Sequence, residues 1–149
     1  MIRDLYVREV VLFFLFTFSD EDLAIKAATQ TLKQCDKKIK TKIEDEFIDH
    51  DELISSIVFY SYKYWKKYSL KRTKVSLNLT HNKTWVLPEG LSLDLWKQFL
   101  KEADSEEYLS ILWVKILNFS EDQIARGLGL TVGTVRHRVN RGLRVLANL

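Results

Sequence analysis

The last helix predicted from the sequence, Val132 to Leu146, carries on one side the residue types that bind nucleic acids. At about 100° per residue, Val132, Leu143 and Leu146 fall on the same side as Val135 and Val139, which predicts the core-facing side. The opposite side, taken with the residue before the helix, holds Thr131, Gly133, Thr134, Arg136, His137, Arg138, Asn140, Arg141 and Arg144. We call this set the arginine face.

The arginine face predicts contact with duplex DNA. Arginine and asparagine can form paired hydrogen bonds with the edges of guanine and adenine, and flanking arginines can reach phosphate oxygens. No acidic residue occurs in the set. The alternative interpretation is a solvated basic surface on an ordinary pair of helices.

A second candidate set lies on the long helix predicted over Glu52 to Leu70 and just beyond its end. Its members are Phe59, Tyr62, Lys63, Lys66, Lys67, Lys71 and Arg72, which we call the aromatic-basic face. Unpaired bases stack on aromatic rings, at roughly 1 to 3 kcal/mol each, while lysines neutralise the backbone. The set therefore predicts binding of single-stranded DNA. It is equally consistent with rings that pack on neighbouring helices beneath solvating lysines.

The residues that usually support catalysis are sparse in this chain. His50, His81 and His137 are far apart, and no paired cysteines or His-Glu-x-x-His spacing predicts a metal site. There is no glycine-rich phosphate loop, and the single cysteine, Cys35, has no base that can be assigned to it. We expect no catalytic residue, no metal and no cofactor, and hence a protein that is not an enzyme.

Helical periodicity dominates the chain and predicts an all-α fold. The second helix is expected to start at the acidic run Asp20 to Asp22 and to end near Gln34, before a charged loop over Asp36 to Asp49. The other predicted helices are Ile2 to Phe18, Glu52 to Leu70, Leu93 to Glu102, Glu106 to Leu117, Glu121 to about Gly127, and Val132 to Leu146.

The predicted helices divide into two small domains. The pattern fades between Ser69 and Ser92, where Pro88 and Gly90 give a turn signal, so we expect domains at 1–74 and 92–149 joined by a linker at 75–91. A lone cysteine indicates a reducing compartment, which favours the cytoplasm. The longest apolar run, Val10 to Phe16, is far shorter than the roughly 20 residues needed to span a bilayer, so membrane insertion is not expected.

The segment from Ser120 to Val139 predicts a helix-turn-helix in the second domain. Ser120 and Gln123 have the spacing of a capping box, in which each side chain satisfies the backbone amide of the other. Gly129 suits a tight turn with positive φ, and Thr131 can cap the next helix through its hydroxyl group. Val135 is then the buried anchor of that helix.

Along the chain, a helix with an acidic start is followed by the aromatic-basic helix, a linker and a helix-turn-helix. With its features in this order, the chain resembles a bacterial RNA polymerase sigma factor of the extracytoplasmic-function group. The segment from Ser120 to Arg141 is similar to that family's carboxy-terminal pattern of acidic-x-I-A, then L-G, then G-T-V-basic-x-R. Gly142 stands where alanine is usual in the family. The resemblance implies that domain 92–149 binds an upstream promoter element through the arginine face.

The resemblance also covers much of domain 1–74. It implies that the aromatic-basic face captures melted promoter bases and that the helix containing Ala24 to Leu32 docks core RNA polymerase, with an anti-sigma factor as a further partner. Lys26 reverses a charge of the family's docking helix, and Thr29 replaces its contact glutamine. We therefore predict a sigma-like regulator of transcription initiation. The alternative is a degenerate sigma-like module that binds an anti-sigma factor or another regulator without directing polymerase.

Overall fold

The computed structural model describes residues 5–42, 49–69 and 91–149, and in these residues it contains seven α-helices and no strand. The all-α prediction is therefore confirmed. The helices are α1 (Val7–Phe18), α2 (Glu21–Lys42), α3 (His50–Ser69), α4 (Leu93–Glu102), α5 (Ser105–Ile111), α6 (Glu121–Leu128) and α7 (Val132–Ala147). None of the described helices has both the length and the apolar composition that crossing a bilayer requires.

The chain divides into two compact units, Met1–Asn82 and Lys83–Leu149. The division falls inside the linker predicted at 75–91, nearly all of which lies outside the described residues. The outer bounds predicted for the two domains, at 74 and 92, remain a prediction.

The amino-terminal unit consists of α1, α2 and α3, each of which packs against the other two. α1 is apolar on nearly all sides, and Phe13, Phe14 and Phe18 are almost completely buried. The helix ends at Ser19, which adopts a left-handed conformation and donates its N–H to Leu15 O at 3.0 Å. Asp20 Oδ1 then accepts the N–H of Leu23, which starts α2 as the acidic run predicts.

α2 is longer than the sequence pattern predicts. It continues past Gln34 to Lys42, so the predicted loop over Asp36 to Asp49 is wrong for residues 36–42. Lysine is a good helix former, and a charged run can occupy the solvated side of a helix as readily as a turn. Residues 43–48 lie outside the described part of the chain.

α3 buries the side that its apolar pattern predicts. Leu53, Ile57, Tyr64 and Tyr68 are all buried, while Trp65, which falls on the same predicted side, is only partly covered. Burial of a large apolar side chain stabilises a fold by about 1.5 to 3 kcal/mol. The opposite side of α3 is thereby left facing solvent.

The carboxy-terminal unit contains α4 to α7 around a core that includes Trp96, Phe99, Trp113, Ile124 and Val135. The predicted helix from Glu106 to Leu117 is present but changes its hydrogen bonding part of the way along. After α5, residues Leu112–Ile116 form a π-helical turn, and Leu117 donates its N–H to Leu112 O at 2.9 Å. α7 packs against both α5 and α6.

The core side of α7 differs in part from the predicted one. Val135 and Val139 are buried as expected, but Leu143 is 38% exposed, and its assignment to the core is wrong. The third buried position is Gly142, one residue earlier. A glycine carries no side chain that would show in a hydrophobic pattern, so the pattern selected its apolar neighbour instead.

Candidate nucleic-acid interface

α6 begins with the capping box that the sequence predicts. Gln123 donates its N–H to Ser120 Oγ at 3.1 Å, and Ser120 donates its N–H to Gln123 Oε1 at 2.9 Å. Two amides that the helix would leave unsatisfied are thus paired. Ile124 and Ala125, which follow at once, are buried against the rest of the unit.

A three-residue turn, Gly129 to Thr131, joins α6 to α7. Gly129 has φ of 68°, a left-handed conformation that glycine adopts without steric cost. Leu130 donates its N–H to Ala125 O at 2.9 Å, and Thr131 Oγ1 accepts the N–H of Thr134 at 3.1 Å. The predicted glycine turn and threonine cap are confirmed, and together they fix where α7 starts.

Most of the arginine face is exposed to solvent. The exposed members are Thr131, Gly133, Arg136, His137, Asn140, Arg141 and Arg144. Thr134 and Arg138 are partly covered. His137, Asn140 and Arg144 follow one another at three- and four-residue spacings, so they lie on one line along the helix. This line is the centre of the exposed side of α7.

Three arginines of the face form ion pairs within the carboxy-terminal unit. Arg136 Nε lies 3.3 Å from Glu121 Oε2, at the start of α6. Arg138 Nη2 lies 3.5 Å from Glu106 Oε1, and its side chain is only 21% exposed. Arg141 Nη2 lies 3.7 Å from Glu107 Oε1 and 4.0 Å from Asp104 Oδ2. The face lacks acids in its own sequence, but acids of neighbouring helices border it on both sides.

The acids on α5 are part of the site that sequence reasoning missed. Glu107 is 6% exposed, which is rare for a glutamate unless it is paired. The only sequence signal for this packing was Gly142, where the resembled family has alanine. A Cβ at Gly142 would lie 2.6 Å from Ile111 Cγ1 and 3.2 Å from Glu107 O, so any side chain at this position would force α5 or the Ile111 side chain to shift.

The described part of the aromatic-basic face lies along the solvent side of α3. Phe59 is 49% exposed, Lys63, Lys66 and Lys67 are exposed, and Tyr62 is partly covered. Its remaining members, Lys71 and Arg72, lie outside the described residues. The structure thus brings one ring and three cations to a common surface, with a second ring at its edge.

Lysines of the aromatic-basic face lie over tyrosine rings. Lys66 Nζ is 4.5 Å from the centre of the Tyr62 ring, and Lys67 Nζ is 5.7 Å from that of Tyr68. Lys63 Nζ lies 5.8 Å from the centre of the Tyr64 ring. Such cation-π contacts contribute about 0.5 to 1 kcal/mol at exposed sites. They hold the ammonium groups close to the helix surface.

Phe59 stands at the border of the aromatic-basic face with α2. Its ring packs edge-on against the ring of Tyr60, with 5.0 Å between the two ring centres. Lys38 Nζ of α2 lies 6.0 Å from the centre of the Phe59 ring. Nearly half of the side chain remains accessible, which is unusual for phenylalanine. It is the most accessible ring of the face.

The groups considered for catalysis lie elsewhere. Cys35 is buried on α2, and desolvation raises the pKa of its thiol to about 12, which leaves it unreactive at neutral pH. His50 Nδ1 lies 2.9 Å from Tyr6 Oη, a contact that joins the starts of α3 and α1. In the described residues, no three His, Cys, Asp or Glu side chains come together in a way that could hold a metal ion.

The chain shares its fold with a solved sigma factor. The structure is similar to that of the sigma factor RpoE from Bartonella quintana, determined in complex with the anti-sigma factor NepR, with a TM-score of 0.72. The similarity covers 97% of this chain and 91% of that chain, at 18% sequence identity. No protein-family model matches the sequence. No curated protein matches it either. What links this chain to sigma factors is therefore an all-helical fold shared over nearly the whole length of both proteins.

Proposed function

We propose that this protein is a sigma-like regulator of transcription initiation that binds promoter DNA through the arginine face and directs or modulates core RNA polymerase in the cytoplasm. The observation that carries the proposal is the line of His137, Asn140 and Arg144 on the solvent side of α7. α7 contains no acidic residue, and its start is fixed by the cap and turn that precede it. The fold shared with a sigma factor supports the same conclusion.

The geometry of α7 suits a major groove. An α-helix fits into that groove, and its exposed side chains then meet base edges, while phosphates lie at either flank. Asn140 can pair with adenine, and Arg144 with guanine or a phosphate. Arg136, which is 62% exposed, lies on the flank where a phosphate would pass.

The aromatic-basic face is assigned to opened DNA in the same proposal. Phe59 offers a ring for stacking, while Lys63, Lys66 and Lys67 offer positive charge along one helix. Stacking platforms among cations bind single strands with little dependence on sequence. The two faces therefore have different tasks: one recognises duplex sequence, and the other holds an unpaired strand.

The proposal is tested by mixing the full-length chain with core RNA polymerase and measuring co-elution, followed by selection of bound duplexes from a random-sequence pool. We expect co-elution and a selected sequence motif, with affinity that falls steeply as salt rises because phosphate contacts release counterions. Affinity that does not change with salt, or a pool that yields no motif, would contradict the assignment.

The second candidate is a sigma-like module that binds an anti-sigma factor or another regulator without directing polymerase. Lys26 favours it, because this exposed lysine of α2 lies with Nζ 5.5 Å from the Tyr68 ring, at a position where the resembled family has an acidic residue. The similar structure of RpoE was determined with its anti-sigma factor NepR bound. Core polymerase separates the candidates, since this one predicts no co-elution with it.

A further inference from the structure

Glu107 is a buried carboxylate on α5, behind the arginine face. Its side chain is 8% exposed, and its Oε1 lies 3.7 Å from Nη2 of Arg141. A carboxylate removed from water is costly unless a cation or hydrogen-bond donors compensate it. Arg141 supplies that cation from α7, and the same nitrogen also lies 4.0 Å from Asp104.

The close approach of α5 and α7 places these two side chains together. Gly142, next to Arg141, is the point at which an added Cβ would lie 3.2 Å from the backbone oxygen of Glu107. One helical turn before Arg141, Arg138 pairs with Glu106 at 3.5 Å. Two arginines spaced by three residues thus pair with two adjacent acids of α5, on the side where α7 also buries Val135, Val139 and Gly142. The ion pairs and these buried residues together orient α7 about its own axis.

The rotation determines which residues project from the unit. With Arg138 and Arg141 directed toward α5, the outermost line consists of His137, Asn140 and Arg144, all exposed. A rotation of α7 by even part of a turn would move Asn140 away from the centre of this line. Correct presentation of the line therefore depends on this side of α7 remaining packed against α5, with the buried charge of Glu107 compensated.

We propose that Arg141 is a positioning residue, held by Glu107, and that His137, Asn140 and Arg144 are the residues of the arginine face that contact bases. This inference rests on the proposed function, because it assigns roles within the same DNA-binding surface. It divides the face into a line that meets DNA and a flank that is occupied by the protein's own acids.

The test compares three variants of the full-length chain: R141Q, the double variant E107Q/R141Q, and R141K. The probe is a labelled duplex selected from a random-sequence pool, with a scrambled duplex of the same composition as reference. Two quantities are measured for each variant, the melting temperature and the ratio of the two affinities, which we call the discrimination.

R141Q is expected to lower both quantities, because it leaves the Glu107 carboxylate buried without its cation. E107Q/R141Q also removes the buried charge that R141Q leaves uncompensated. Its melting temperature should therefore return close to that of the wild type, and its discrimination to within about threefold of it. R141K retains the positive charge next to Glu107 but lacks the planar fork that guanine recognition uses. Because a positioning residue needs only the charge, the discrimination of R141K should be near that of the wild type.

The proposal is overturned if the double variant melts like the wild type but discriminates no better than R141Q, since the guanidinium would then contact bases directly. Loss of discrimination in a stable R141K would have the same meaning. If the wild type itself selects no duplex, the proposed function fails, and the assignment of base contacts fails with it. The Glu107 and Arg141 pair is still judged in that case by whether E107Q restores the melting temperature that R141Q loses.

Discussion

The two candidate faces hold their cations in different ways. On α3, Lys66 and Lys67 lie over the rings of Tyr62 and Tyr68. On α7, Arg138 and Arg141 pair with carboxylates of α5. A lysine over a ring is a point charge on a flexible stem, whereas a guanidinium facing a carboxylate is a planar group with a fixed direction. The first arrangement keeps positive charge on flexible stems along the surface of one helix, and the second helps to hold one side of α7 against α5.

In the function that we propose, this difference corresponds to a division of labour between the two units. Binding a strand of any sequence requires charge and stacking surfaces but little angular precision. Discrimination between bases requires donors and acceptors that arrive at the base edges in a fixed geometry. Under the proposal, the ion pairs behind α7 therefore contribute to recognition even though they face away from the line of His137, Asn140 and Arg144.

Asn140→Ala should have the largest effect on DNA binding. Loss of a paired contact to a base is expected to reduce discrimination by about 1 to 3 kcal/mol, or roughly fivefold to more than a hundredfold, without a change in melting temperature. Competition between the selected and scrambled duplexes measures this loss. Asn148→Ala, at the exposed end of the same helix, is the matched control and should bind as the wild type does. If Asn140→Ala discriminates as well as Asn148→Ala, Asn140 does not contact bases and α7 loses its proposed role in recognition.

Gly142→Ala should be the most destabilising of the small substitutions in α7. The added methyl group would lie 2.6 Å from Ile111 Cγ1, and such overpacking typically costs about 1 to 3 kcal/mol. Gly133→Ala is the control, because its Cβ meets only Thr131 Oγ1 at 3.9 Å, and it should stabilise the helix by up to about 1 kcal/mol. Urea unfolding measures both. A Gly142→Ala variant that is as stable as Gly133→Ala would show that α5 and α7 do not approach so closely.

Lys66→Ala should weaken binding of single-stranded DNA by a similar small factor for every sequence. Removal of one phosphate contact is expected to flatten the plot of log affinity against log salt by about 0.7. Fluorescence anisotropy with thymine and mixed-sequence oligonucleotides across a salt series measures this slope. Lys33→Ala removes an exposed charge from α2 and should leave the slope unchanged. If the loss of affinity in Lys66→Ala depends on base sequence, the aromatic-basic face recognises bases, which contradicts its proposed role.

Cys35 tests the packing of α2, which supports α3 and its aromatic-basic face. Burial favours the neutral thiol and raises its pKa from 9.0 to about 12. The free energy of unfolding should therefore fall as the pH rises from about 9 to about 12, because only the unfolded chain loses this proton in that range. At about pH 8, alkylation of the folded protein should be at least tenfold slower than in denaturant. Mass spectrometry measures the rates, and fast alkylation of the folded chain would contradict the burial of Cys35.

Much of the local structure of the second unit could be predicted from the sequence. Ser120, Gly129 and Thr131 each act on neighbours within a few residues, so their types and spacing are sufficient to identify a cap, a turn and a second cap. The apolar patterns of α3 and α7 likewise identified most of the buried residues. The first turn of α2 followed from its acidic run in the same local way.

What the sequence could not supply depends on contacts between helices. The pairing of Arg138 and Arg141 with α5 joins residues that are far apart in sequence, and no local pattern shows which side of α7 faces α5. The burial of Gly142 in place of Leu143 has the same cause, since the close approach of two backbones is a property of the packed pair. The extension of α2 beyond Gln34 was missed for a different reason, because a charged run suits the solvated side of a helix as well as it suits a turn.

The central claim is that duplex DNA binds the exposed line of α7. It is tested most directly by titrating a ¹⁵N-labelled full-length chain with the selected duplex and following backbone and side-chain resonances. The largest shifts are predicted at His137, Asn140 and Arg144, including the Asn140 amide side chain, with Glu107 and α3 little affected. Saturating duplex that leaves these resonances unchanged, or that shifts α3 instead, would contradict the account.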